Sequence, residues 1–97
     1  QQELLDAIRM AFQQGRIARR RKIAVSKLEL LTADEREVLD MIIKGVPSRV
    51  IAHKQHVSVR TIENRRHHIY EKTQTHSIAQ LVRMVVESQD LSESVQD

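Results

Sequence analysis

Arg60, Glu63, Asn64, His67 and Glu71 follow one another at intervals of three, one, three and four residues. On a helix that turns about 100° per residue they gather on one side, while Ile62, Ile69 and Thr73 fall on the other. The chemistry of the first group is that of base edges and phosphates. An Asn amide can hold adenine through two hydrogen bonds, a Glu carboxylate can accept from cytosine N4, and an Arg guanidinium can read guanine or grip phosphate. Around this group stand Ser58, Thr61, Arg65, Arg66 and Lys72, with Arg49 and Lys54 shortly before. Ser58, Arg60, Thr61, Arg65, Arg66, Lys72 and Arg49 are candidate phosphate contacts, which set the register of a helix on a duplex without reading its sequence. Each could equally be an ordinary solvated charge or hydroxyl.

Such a face works only on a packed scaffold, and the flanking sequence supplies one. Thr32 followed by Glu35 is a capping box that opens a helix over about 33–44, with Val38, Leu39, Ile42 and Ile43 on its apolar side. Gly45 stands where a left-handed cap belongs, and Pro47 cannot extend the helix. Ser48 is expected to cap a short helix over 48–55. His56 and Val57 make a tight connection, and Ser58 caps a helix over 59–73. Ser77 with Gln80 repeats the capping-box pattern and opens a helix over 77–88 that carries Ile78, Leu81, Val82 and Val85. Before all of these, Leu4, Leu5, Ile8, Ala11 and Phe12 share one face of a helix over about 2–26, either continuous or kinked at Gly15. That stripe needs a cover: the rest of the chain, a second copy, or another domain. The polar, acidic end after Ser88 is expected to fray. The expected organisation is a helical arm over 1–27, a helix-turn-helix unit over 28–88 and a disordered tail over 89–97.

Composition narrows the chemistry further. Gly15 and Gly45 are the two glycines of the 97 residues, too few for a dinucleotide fingerprint. The absence of cysteine removes disulfides, thiolate nucleophiles and the usual structural zinc sites. Five histidines occur without an acidic cluster to complete a tetrahedral site, so neither a metal nor a cofactor is expected. Serines mostly fall at cap positions, and no nucleophile–base arrangement stands out, so catalysis is not expected. No apolar run is longer than three residues, far short of a membrane span. The net charge of +3 is modest, but it is unevenly spread. Residues 16–27 carry Arg16, Arg19, Arg20, Arg21, Lys22 and Lys27 without an acid, and residues 45–73 are again basic. Such blocks attract a polyanion even when the total is small.

In this setting the order of motifs becomes specific. The run LTADEREVLDMIIKG, then PSRVIAHKQHVSVRTIENRR, then SIAQLVRMVV resembles the LuxR/FixJ/NarL-type helix-turn-helix domain of bacterial response regulators, its FixJ-like subgroup above all. The run ELLDAIRMAF resembles the last helix of a phosphorylatable receiver domain, which makes the basic stretch after it an interdomain linker. The resemblance implies an all-α fold: a four-helix domain behind a long N-terminal linker helix. It implies base-edge contacts from Glu63, Asn64 and His67 in the major groove of double-stranded DNA, and a homodimer formed through Leu81, Met84, Val85 and Val86. It also implies a bacterial cytoplasmic protein associated with the nucleoid, an N-terminal receiver domain beyond this sequence, and RNA polymerase as a further candidate partner. No membrane role is expected. The competing reading is a helical interaction and dimerisation module without DNA readout.

Three positions depart from the family's habit. Gln55 replaces a usual Leu, Thr73 a usual Leu or Met, and Arg65 a frequent His. The first two are expected to weaken the core unless it repacks.

Overall fold

A computed structural model describes residues 2–89. They form five α-helices and no strand: α1 (Gln2–Leu28), α2 (Ala33–Ile43), α3 (Ser48–Gln55), α4 (Val59–Thr73) and α5 (Ile78–Ser88). The all-α expectation therefore holds. No helix among the described residues is long and apolar enough to cross a membrane. The expected tail over 89–97 lies outside the described residues, Gln89 excepted.

Local chemistry sets the helix ends. Thr32 and Glu35 close a reciprocal capping box: Glu35 N–H donates to Thr32 Oγ1 at 3.1 Å, and Thr32 N–H donates to Glu35 Oε1 at 2.8 Å. Ser58 Oγ accepts from Thr61 N–H at 3.1 Å, and Ser77 Oγ accepts from Gln80 N–H at 3.2 Å. The return arm of the second pair differs from the expected box, because Gln80 Oε1 reaches the His76 N–H instead of the Ser77 N–H. At the start of α3 the sequence expectation needs correction. Pro47, in extended conformation, is the cap residue, and no side chain caps the helix. Its carbonyl accepts from Val50 and Ile51, so Ser48 is already inside the first turn.

Three helices end in the same way. After α2, the Gly45 N–H donates to Ile42 O and the Val46 N–H to Met41 O, with Gly45 at φ 80°. The same pair of bonds closes α3 around His56 and α4 around Gln74, each at φ 58°. These are Schellman caps, which need one left-handed residue. Glycine takes that conformation freely, whereas a residue with a Cβ is strained by about 1 kcal/mol. The bend between α3 and α4 is thus held by a strained histidine.

The core draws on every helix. Val38, Leu39 and Ile42 of α2, Ile51 and Ala52 of α3, Ile62 and Ile69 of α4, and Leu81 and Met84 of α5 are buried together with Ala24 and Leu28 of α1. The arm therefore does not stop short of the helical unit. Its last turns complete the core, packed against α5 and α4, and the helix runs through the expected boundary after residue 27. Gly15 does not interrupt it. The front half of α1 is different: Leu4, Leu5, Ile8 and Phe12 all lie exposed. Thr73, expected to weaken the core, is accommodated by hydrogen bonding. Its buried hydroxyl lies 2.7 Å from Ile69 O, which accepts its proton, and 2.9 Å from the Thr75 hydroxyl.

One buried carboxylate links the start of α2 to the end of α4. Glu35 is 5 % exposed, and its Oε1 receives the Lys72 ammonium at 2.6 Å as well as the Thr32 amide. His68 Nδ1 stands 3.9 Å from its other oxygen. Burial pushes the Glu35 carboxyl upward, but the Lys72 ammonium and the Thr32 donors outweigh it and hold the group below its ordinary 4.5.

Two outcomes follow for stability. A carboxyl depressed in the folded state binds fewer protons there than in the unfolded chain, so its contribution is present at neutral pH. The contribution is lost as pH falls below 4.5 and through the lowered value. Urea unfolding of wild type and Glu35→Gln is expected to differ by roughly 2 kcal/mol at pH 7. The two are expected to converge in acid; a constant gap would contradict the assignment. Replacing His56 by Gly relieves the left-handed strain and is expected to raise stability by about 1 kcal/mol. A lower urea midpoint would contradict it.

Candidate nucleic-acid interface

The pair α3 and α4, joined at His56, Val57 and Ser58, forms a helix-turn-helix. Helix α4 has 15 residues, roughly 22 Å at 1.5 Å per residue. Its inner side is fully committed, with Ile62, Ile69 and Thr73 at 0 % exposure. Its outer side presents Arg60, Glu63, Asn64, His67 and Glu71, all exposed. The separation arises from helical period alone: the apolar residues and the polar group occupy opposite arcs. His67 Nε2 lies 3.5 Å from Glu71 Oε1, one turn along the same face. Glu63, Asn64 and His67 therefore share one exposed surface.

The other expected contacts divide into two groups. Ser58 and Arg60 are exposed at the start of α4, with Thr61 half-buried beside them. The Ser58 and Thr61 hydroxyls lie 3.0 Å apart, so the cap and its neighbour form one polar corner. Arg49 and Lys54 are exposed on α3. Arg66 is half-buried and makes a single long contact of 3.5 Å with the Ser48 hydroxyl. All of these can still turn toward an anion.

Arg65 and Lys72 belong to the second group, in which each cation already has a partner within the domain. Arg65 donates to Gln55 Oε1 at 2.5 Å and lies 3.6 Å from Asp34 Oδ2. Lys72 is held by Glu35. Both cations are engaged inside the domain and are not free surface charges. At about 100° per residue they sit roughly 140° and 120° round the helix from Arg60, on the flank toward the core. That angle was the available signal. Sequence reading also missed their partners, because Asp34, Glu35 and Gln55 are distant in the chain and share no period with them. Gln55, like Thr73, is accommodated by polar partners: its Nε2 donates to Asp34 O at 3.3 Å and to Glu37 Oε2 at 3.2 Å.

The expected dimer residues also divide. Leu81 is fully buried and Met84 is 9 % exposed, since α1 covers that side of α5. Both serve the core. Val85 is half-buried and Val86 is 62 % exposed. With Ile78 and Val82 they leave an apolar stripe along the outer side of α5. Among the described residues, no group of three or more His, Cys, Asp or Glu is placed to hold a metal ion.

Comparison with known proteins agrees with this geometry. Residues 29–85 match the profile of bacterial regulatory proteins of the luxR family. The tetrathionate response regulatory protein TtrR of Salmonella typhimurium is 42 % identical over 53 residues, 55 % of this chain and 26 % of that protein. The transcriptional regulatory protein FixJ of Rhizobium meliloti is 34 % identical over 61 residues, 63 % of this chain and 30 % of that protein. The chain thus matches between a quarter and a third of the length of these relatives. The crystal structure of full-length FixJ from B. japonicum superposes with a TM-score of 0.67 at 28 % identity, covering 91 % of this chain and 45 % of that one.

Proposed function

This chain belongs to the luxR family of bacterial regulatory proteins, and from that premise we propose that it reads duplex DNA with α4 in the major groove, as a homodimer. Its helix-turn-helix is a DNA-binding effector domain that regulates transcription, and it is not an enzyme. The observation that carries the finer reading is the exposed trio Glu63, Asn64 and His67 on a helix whose opposite side is wholly buried. A major groove about 12 Å wide admits such a helix, and these side-chain types match base edges there. Ser58, Arg60, Thr61, Arg66 and Arg49 hold the flanking phosphates and fix the register.

The dimer forms through the outer stripe of α5, Ile78, Val82, Val85 and Val86, instead of the buried Leu81 and Met84. Two copies then address half-sites about 10 bp apart, one turn of the duplex. The front of α1 is the last helix of a receiver-type domain, whose body covers Leu4, Leu5, Ile8 and Phe12. The likeness to full-length FixJ supports this, because it extends over 91 % of the chain and so into α1.

In vitro selection from random duplexes tests the central reading by returning a preferred site. On that site, Asn64→Ala is expected to cost about 1–3 kcal/mol and to relax preference at a single base pair. Arg60→Ala is expected to weaken all duplexes alike and to flatten the salt dependence by about 0.9 in log affinity against log salt. Selection that returns no preferred sequence would overturn the reading. Val86→Glu is expected to abolish cooperative occupancy of paired half-sites, as seen in gel shifts, while leaving single half-site binding intact; unchanged cooperativity would place the dimer contact elsewhere.

A further inference from the structure

We propose that Arg65 is a positioning residue: with Gln55 and Asp34 it forms a clasp that fixes how α4 is rotated, and so where the reading face points. The inference rests on α4 reading DNA and assigns the specificity of that reading partly to a residue that does not touch the duplex.

The clasp joins three elements through one amide. Gln55, the last residue of α3, accepts from Arg65 Nη1 of α4 through its oxygen at 2.5 Å. Through its nitrogen it donates to Asp34 O at 3.3 Å and Glu37 Oε2 at 3.2 Å, both in the first turns of α2. Arg65 Nη2 closes the circuit on Asp34 Oδ2 at 3.6 Å. A planar guanidinium with donors on two nitrogens can hold an amide oxygen and a carboxylate together, which a single ammonium does with much less geometric control.

Its location gives the clasp leverage. Arg65 follows Asn64 directly and lies two residues from both Glu63 and His67. Fixing its direction fixes theirs, because a rigid helix turns as one body. Gln55 precedes His56, the strained left-handed residue of the turn, so the same amide also holds the pivot. Packing by Ile62 and Ile69 sets the depth of α4 and which arc faces inward, and leaves its finer rotation to side-chain ties of this kind.

Charge argues in the same direction. Arg65 is 23 % exposed on its side chain and already faces Asp34, with Glu37 bound to the same amide. A cation balanced by protein carboxylates releases little counterion when DNA arrives, so it adds little to the salt dependence.

The test compares the selected duplex with a random duplex of equal length, across a salt series, for the whole chain. Arg65→Ala is expected to lower the ratio of specific to random affinity about tenfold while the salt slope stays within about 0.3 of wild type. A slope flatter by about 0.9 would make Arg65 a phosphate contact and overturn the proposal. Asp34→Ala separates the readings by sign. Removing an acid should tighten binding to both duplexes if only charge matters, whereas loss of the clasp lowers the ratio. Gln55→Ala should lower it too, and the Gln55→Ala, Arg65→Ala double variant should lose no more than either alone. Additive losses would overturn the proposal. Should Arg65→Ala fail to fold, Arg65→Lys keeps the charge and removes the fork: a lowered ratio supports positioning, and wild-type behaviour refutes it. If wild type itself shows no preference for the selected duplex, the failure belongs to the reading of α4 and not to the clasp.

Discussion

A helix that reads another molecule must be immobile on one side to be informative on the other. Everything else in this domain serves that constraint on α4. Its inner arc, Ile62, Ile69 and Thr73, is sealed from solvent by residues of α2 and α3 and by the end of α1. Apolar burial is strong but non-directional; it selects which arc of α4 faces inward and leaves the finer rotation and tilt to other bonds. Directional bonds have to do that, and they occur at the middle and end of α4, through Arg65 and Lys72. Both ties lead to the first turn of α2, where Asp34 and Glu35 lie.

The two ties differ in character. Glu35 is nearly inaccessible and has several donors, so its charge stays buried only because Lys72 and the Thr32 amide satisfy it. Losing a partner there leaves an uncompensated charge in the interior, which is costly. The Gln55 clasp is more exposed, with its bonds to Asp34 and Glu37 at the surface. Thr73 and Thr75 show a third solution, a hydroxyl pair inside the core closed on a helix carbonyl. The domain therefore tolerates polar residues at positions suited to aliphatic ones by giving each a bond.

Period and caps made the architecture legible. Thr32, Ser58 and Ser77 mark helix starts because a hydroxyl at that point satisfies a free amide, and the helices begin where these residues indicate. The outward direction of Glu63, Asn64 and His67 was legible as well, since it follows from 100° steps along α4. The side-chain ties were not legible. Lys72 meets Glu35 across 37 residues and Arg65 meets Gln55 across ten, and no local rule connects such pairs. The inward turn of Met84 was hidden for a related reason: its face of α5 is decided by α1, and a sequence pattern shows an apolar arc without showing what covers it. Pro47 took the cap position from Ser48 because its extended backbone already supplies the entry geometry.

The central claim is that α4 presents one face to a duplex while the other stays packed. Amide spectra of the isotope-labelled chain, titrated with the selected duplex, test it most directly. The account predicts that large shifts cluster at the start of α4 and along its outer face, from Ser58 to His67, with those of α5 and the front of α1 small at single half-site stoichiometry. Shifts centred on the Leu4 to Phe12 stripe, with α4 unmoved, would contradict it.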